Sequence, residues 1–335
     1  MSGMFSDVER DCVVAAHRQV AEDVVLLELV AQNGRDLPPW EPGSHIDLLL
    51  RPAGDGTREH FADDLPVERQ YSLCGDPGDR QRYRVAVLRE TDGRGGSAAV
   101  HTDLSEGAAL RIRGPRNHFV FEPPPGVSVV LVAGGIGITP LLSMAAAAEA
   151  VSTDFTLIYA GRSRRRMAFV DELLERYGDR VRVHAGDDQT RLDVAATVAA
   201  MPPEAHAYAC GPVRLISAVE EAWGDRPRQQ LHVEHFEAKE YGPPVWQQPF
   251  EVELALTGVT LEVPLEKTIL DVVEEQGVVV VSSCRKGTCG TCETPVLEGD
   301  VEHRDSVLTP DEQQAADTMM LCVSRAAGPL LVLDL

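Results

Sequence analysis

The sequence predicts a chain of three differently built modules: an antiparallel β-barrel, an open parallel α/β sheet and a small β-grasp domain. Three observations lead there. Over residues 1–118, short alternating segments such as SHIDLLL, RQYSLCG and YRVAVLR are separated by Pro/Gly turns, the pattern of an antiparallel barrel. From 119 to 238, apolar strands alternate with helical patterns, as in a parallel sheet with helices on its faces. After a linker at 239–248, partly stiffened by Pro243 and Pro244, residues 249–335 read as two alternating strands, a helix from near Thr268 and a last strand LLVLDL.

Composition bounds what these modules do. At 335 residues, with 44% hydrophobic and 25% charged, the chain suits two or three folded domains. A formal charge of −22 repels nucleic acid and anionic membrane surfaces and favours a partner with a basic patch. No basic start leads into an apolar block, and no apolar run reaches the roughly 18 residues a membrane helix needs. A soluble, cytoplasmic protein is expected.

In the barrel, RQYSL places Arg69, Tyr71 and Ser72 on one strand, bringing a cation, an aromatic ring and a hydroxyl together. The turn GRGGS, Gly93 to Ser97, adds Arg94 and glycines that can wrap a phosphate. By themselves these are also consistent with a plain strand and a plain turn. In the α/β module, VSVVLVAGGIGITPLLSMAAAAEA reads as strand, glycine-rich turn and helix, with Pro140 in the first helical turn. A pyrophosphate fits such a helix start. Further strands are expected near 154–160, 181–185, 206–210 and 229–233, and ACGPV ends one of them with Cys210. A buried structural cysteine is the other reading of Cys210.

Three of the seven cysteines crowd into SCRKGTCGTC. Cys284, Cys289 and Cys292 form C-x4-C-x2-C, and Cys322 follows after 29 residues, the spacing of a plant-type [2Fe-2S] centre. Two irons need four converging thiolates, and Gly287 and Gly290 let the backbone wrap closely. A zinc site would instead pair two short C-x2-4-C knuckles. In a reducing cytosol, such clustering favours metal or redox work over disulfides.

RQYSL, GRGGS, GGIGITP, ACGP and the C-terminal cysteine motif, in that order, resemble the phthalate dioxygenase reductase family of oxygenase reductases over essentially the whole chain. The resemblance implies a flavin barrel using FMN, a nicotinamide-nucleotide domain and a [2Fe-2S] ferredoxin. It implies that Arg69, Gln70, Tyr71 and Ser72 hold the flavin, with Val87 and Leu88 on the following strand, and that Gly95, Gly96 and Ser97 clasp its phosphate. Gly135, Gly137 and Thr139 would receive the nucleotide pyrophosphate, Cys210 and Gly211 would flank the nicotinamide, and Phe236 would be the aromatic near the flavin ring. No acid–base pair is needed, because the cofactors carry the chemistry. His118 and His303 are read as structural, not as ligands.

The expected role is therefore an NAD(P)H-dependent flavin iron–sulfur oxidoreductase. It would pass electrons from NAD(P)H through FMN and the cluster to a terminal oxygenase, either Rieske-type or a haem-thiolate monooxygenase. The alternatives are a stand-alone NAD(P)H diaphorase or flavin reductase, the electron-transfer subunit of a dehydrogenase, and a redox-sensing module. After FTLIYAG come Arg162, Ser163, Arg164, Arg165 and Arg166, with no carboxylate at that strand end, which favours NADPH over NADH. A solvated helix start is the other reading of that run. Residues 249–335 hold 16 Asp and Glu against 5 Lys and Arg, a net of −11, which points to a transient, electrostatic complex with the oxygenase.

Overall fold

The structure, a computed structural model, describes residues 8–50, 67–91, 95–188, 190–237 and 241–335. By compactness the chain divides into two units, Met1–Glu234 and His235–Leu335.

The first unit opens with β1 (Glu9–Ala21), β2 (Val24–Ala31), β3 (His45–Leu50), β4 (Val67–Ser72), β5 (Tyr83–Leu88), α1 (Gly96–Asp103) and β6 (Ala109–Arg116). These strands form one sheet in the order β4-β3-β6-β1-β2-β5. A bridge between Leu73 and Val85, and the Cys74 N–H donating to the Arg84 carbonyl at 2.9 Å, join its two edges into a barrel. Alternation fills the inside: Leu27, Ile46, Leu48, Tyr83, Val85 and Ile112 are buried there.

The unit continues through β7 (Val129–Gly134), α2 (Ile138–Ala150), β8 (Phe155–Gly161), α3 (Val170–Tyr177), β9 (Val181–Ala185), α4 (Val194–Ala199), β10 (His206–Gly211), α5 (Val213–Trp223) and β11 (Leu231–His235). The sheet order is β11-β10-β7-β8-β9, with β10, β7, β8 and β9 paired in parallel. Both faces of β7 are apolar because both are covered. Leu131 and Ala133 meet α2, whereas Val130 and Val132 share a core with Ile216 and Trp223 of α5. The barrel and the α/β sheet share a core: Val24, Leu26, Cys74 and Ala86 of the barrel pack in one cluster with Ile138, Leu141, Met144 and Ala145 of α2.

The second unit contains β12 (Phe250–Leu254), β13 (Val259–Val263), α6 (Ile269–Glu275), β14 (Glu293–Glu298), β15 (Val301–Glu302), α7 (Pro310–Ala315), β16 (Thr318–Met320), β17 (Arg325–Ala326) and β18 (Leu330–Leu333). Its main sheet runs β13-β12-β18-β14-β16, with β12 and β18 parallel at the centre. Thr268 starts α6 as expected, through a capping box with Asp271. The helix buries Ile269, Leu270 and Val273 against Phe250, Val252 and Leu331.

Candidate functional site

The glycine-rich turn and the ACGP loop lie 75 residues apart in sequence, yet adjacent strands bring them together: β7 pairs with β10, placing Ala133 opposite Cys210. Their backbones are in close contact. A Cβ on Gly137 would lie 2.3 Å from the Cys210 carbonyl oxygen, and one on Gly211 would lie 2.8 Å from the Gly134 Cα. Only glycine permits that approach. Gly135 takes φ +55°, and the Thr139 hydroxyl donates to the Ile136 carbonyl at 3.0 Å, fixing the turn just inside the start of α2. The result is a cradle at the carboxyl ends of parallel strands, where such sheets bind ligands.

Cys210 is fully buried, and its Sγ lies 3.6 Å from Glu234 Oε2 on β11. Burial pushes the thiol well up, and the Glu234 carboxylate adds to this. Glu234 itself is raised to about 8 by burial, against the opposing hydrogen bond from Cys210. The sequence reading missed Glu234; an acid inside the strand LHVEH was the available signal. Phe236 follows β11 directly and is 38% exposed.

In the barrel, Arg69 reaches the glycine turn: a Cβ on Gly96 would lie 2.5 Å from Arg69 Nε. Gly95, at φ +81°, caps α1, and Ser97 is buried with its hydroxyl accepting the Glu90 N–H at 3.0 Å. The cation, the helix start and the hydroxyl therefore meet, as a phosphate site requires. Gly93 and Arg94 lie outside the described residues. Tyr71 is half-buried and packs against the barrel core, which also takes Val87; the Val87 carbonyl lies 3.0 Å from His101 Nε2, and Leu88 packs on the core shared with α2.

Gln70 and Ser72 stand opposite Asp47 and His45 of β3. Asp47 is fully buried, accepts a hydrogen bond from Gln70 Nε2 at 2.8 Å and forms an ion pair with buried Arg116. Sequence reasoning missed this buried charge pair, although an aspartate in HIDLLL is anomalous for a strand buried throughout its length. His118 stacks on His45 at 5.9 Å.

The arginine run after β8 is more committed than expected. Arg165 pairs with Glu22 at 2.7 Å, and Arg166 with Glu22 and Asp23 at 3.1 and 2.9 Å, so both arginines hold the β1–β2 turn. Arg164 pairs with exposed Asp171 at 2.7 Å, and its N–H donates to the Asp187 carboxylate at 3.0 Å. A carboxylate thus reaches the end of β8 from the neighbouring strand, which a reading along one strand could not show. Ser163, just before the run, is half-buried.

In the second unit, Cys284, Cys289, Cys292 and Cys322 are each at most 5% exposed. They act on one another's ionisation: Cys289 and Cys322 favour the Cys284 thiolate, and Cys322 favours that of Cys292. Lys286 N–H donates to Cys284 Sγ at 3.3 Å, and Thr291 Oγ1 lies 3.1 Å from Cys289 Sγ. Gly287 and Gly290 take φ +68° and +71°, and a Cβ on Gly287 would lie 2.5 Å from Val323 Cγ2. Four buried thiols, with the Lys286 N–H aimed at one sulfur and the Thr291 hydroxyl beside another, fit an iron–sulfur cluster. At the mouth of the loop, Arg285 is held by Asp271 and Glu274 at 3.3 and 2.6 Å.

Residues 131–221 match the oxidoreductase NAD-binding domain family, and residues 252–327 match the 2Fe-2S iron-sulfur cluster binding domain. The chain is 44% identical to phenoxybenzoate dioxygenase subunit beta of Ectopseudomonas oleovorans over 94% of both chains. It is 38% identical to phthalate dioxygenase reductase of Burkholderia cepacia over 96% of both. Among solved structures, an intact type IV self-sufficient cytochrome P450 monooxygenase matches with TM-score 0.88 at 43% identity, over 98% of this chain and 41% of that one. This chain therefore spans about two-fifths of that protein. A phthalate dioxygenase reductase structure, described as modular for electron transfer from pyridine nucleotides to [2Fe-2S], matches with TM-score 0.68 at 36% identity over 98% of both chains.

Proposed function

Because the chain belongs to the phthalate dioxygenase reductase family, the reductase components of oxygenase systems, we propose that it carries electrons from a reduced nicotinamide nucleotide through FMN to a [2Fe-2S] cluster and on to a terminal oxygenase. The observation that carries this reading is the coexistence in one chain of the glycine cradle at Gly134–Gly137 and Gly211, the Arg69–Gly96–Ser97 cluster and four buried cysteines in the C-x4-C-x2-C and distant-cysteine spacing. A flavin supplies the exchange between a two-electron hydride donor and a one-electron acceptor.

The chain's own residues bind, orient and exclude water. Arg69 and the α1 start, Gly95 to Ser97, hold the flavin phosphate; Gln70, Tyr71, Ser72, Val87 and Leu88 define the place of its ring, and Phe236 is read as the aromatic partner. Gly135, Gly137 and Thr139 shape the pyrophosphate cradle, while Cys210 and Gly211 flank the nicotinamide. Cys284, Cys289, Cys292 and Cys322 are the cluster ligands. Functionally the modules are 1–118, 119–238 and 249–335, with the linker at 239–248.

The arginine run is read for NADPH, whereas Asp187 supplies the carboxylate that the free 2′-hydroxyl of NADH would use. The Arg164 guanidinium pairs with Asp171, whose side chain is 99% exposed, and such a bridge is weak enough to yield to a doubly charged 2′-phosphate. Ser163 adds a hydroxyl beside it. Steady-state kinetics with both nucleotides test this: Arg164→Ala should raise KM for NADPH about ten-fold and leave NADH nearly unchanged. A wild-type preference for NADH that the variant does not alter contradicts it.

The acceptor is an oxygenase, Rieske-type or haem-thiolate, met in a transient complex through its basic surface. Arg285 offsets acid at the loop mouth, so the uncompensated charge of the exit module lies on exposed residues such as Glu293, Asp311 and Asp317. Among the described residues no helix is long and apolar enough to cross a membrane; a cytoplasmic location is part of the reading. Coupled product formation with oxygenases of both kinds, encoded beside this chain, tests the assignment.

A further inference from the structure

Asp305 belongs to none of the sites above, yet it is 1% exposed and its carboxylate is heavily engaged. Oδ2 accepts the N–H groups of Val307 and Leu308 at 3.0 and 2.8 Å. Oδ1 accepts the Ser324 hydroxyl at 3.4 Å and lies 3.7 Å from His303 Nδ1. A buried carboxylate is costly unless so satisfied, which makes this a built arrangement.

The segment around Asp305 touches both halves of the cysteine set. Toward the three-cysteine loop, the Ser306 N–H donates to the Gly287 carbonyl at 2.8 Å, and a Cβ on Gly287 would lie 3.1 Å from the Asp305 Cα. Toward the fourth cysteine, the Arg304 N–H donates to Ser324 Oγ at 3.1 Å, and the Ser324 N–H donates to the Met320 carbonyl at 3.0 Å across Cys322. The stretch just before β12 grips the same segment from outside. The Tyr241 hydroxyl donates to the Asp305 carbonyl at 2.7 Å, and the Arg304 guanidinium lies 5.2 Å over the Tyr241 ring. Arg304 also donates to the Gly242 carbonyl at 2.7 Å and pairs with Glu302 at 2.9 Å, while Glu302 accepts the Val245 N–H at 2.9 Å.

We propose that Asp305 is a positioning residue for the cluster, setting Cys322 against the Cys284–Cys292 loop, and that Tyr241 of the linker locks it in place. The linker end is thus part of the cluster's support, so strain applied to the linker reaches the ligand loop through the 302–306 segment, with the Tyr241–Asp305 hydrogen bond as its link to Asp305. Groups behind metal ligands commonly change metal retention 10- to 100-fold when altered, and this segment acts on both parts of the ligand set at once.

The inference rests on the four cysteines being the cluster ligands, and iron and sulfide content of the wild-type chain tests that reading separately. The experiment uses the full-length holoprotein and its Asp305→Asn, Tyr241→Phe and Leu254→Val variants, the last a core change on β12 remote from this segment. Loss of the cluster's visible absorbance to an iron chelator should quicken about ten-fold in Asp305→Asn. In Tyr241→Phe, which keeps the ring under Arg304, it should quicken about five-fold, the worth of one hydrogen bond. The reduced-cluster electron paramagnetic resonance signal should shift in Asp305→Asn, and Leu254→Val should leave that signal unchanged. Wild-type chelation rates and signal in Asp305→Asn, or equal effects in Leu254→Val, overturn the role of Asp305. If Asp305→Asn does not fold, Tyr241→Phe carries the test, and wild-type chelation there overturns the lock.

Discussion

Glu234 keeps its proton well above the usual carboxylate range, to about 8 against an ordinary 4.5, because burial disfavours its charge. Between those values the folded chain holds a proton that the unfolded chain releases. Its contribution to stability is therefore fully present below 4.5 and is lost as pH rises through 8. The thermal midpoint of the first unit should fall as pH rises from 4.5 to about 8, and Glu234→Gln should flatten that part of the profile. Identical slopes in both proteins contradict the assignment. The four cysteines were legible in the sequence because ligand spacing is a local property. Asp47, Glu234 and Asp305 were not, because each owes its meaning to partners elsewhere in the chain, as when Asp47 meets Gln70 and Arg116. A carboxylate inside a strand was the local sign of the first two, plainest for Asp47 in HIDLLL.

Among the secondary-structure elements, α6 gives the sharpest test. Thr268 accepts the Asp271 N–H at 3.1 Å while Asp271 accepts the Thr268 N–H at 3.1 Å, and Leu270 N–H donates to the Leu321 carbonyl beside Cys322 at 3.1 Å. Thr268→Ala should cost about 1 kcal/mol and lower the urea midpoint for loss of the cluster's visible absorbance. An unchanged midpoint means that the cap does not support the cluster end of the fold. Period and punctuation made the strand–turn–helix at β7–α2 and the hairpin–helix at β12–α6 readable. The last strand of that sheet was placed two residues early, because a 3-10 turn at Arg228–Gln230 precedes it. What the pattern could not show was contact between elements: the pressing of Gly137 on Cys210, or the reach of Arg69 to Gly96. Those contacts depend on strand order, which a one-dimensional pattern does not contain.

For the whole molecule, charge and modularity make separate predictions. Half of the −22 charge lies on residues 249–335, so the association rate with the oxygenase should fall steeply from low salt to physiological salt, where the screening length is about 8 Å. Flavin reduction by the nucleotide, which engages the first unit, should change little; stopped-flow traces of both steps against ionic strength check this, and a flat oxygenase rate contradicts docking by charge. The shared core of barrel and α/β sheet was not readable, since its members come from segments such as Val24 and Ala86 that meet α2 only in the folded chain. The central claim is that electrons leave only through the four-cysteine centre. Its most direct measurement is Cys292→Ser in the full-length chain, following flavin bleaching by reduced nucleotide and cytochrome c reduction in the same preparation. Flavin should bleach at close to the wild-type rate, while cytochrome c reduction slows at least about ten-fold as the cluster is lost or damaged. Loss of both activities, or retention of both, would contradict it.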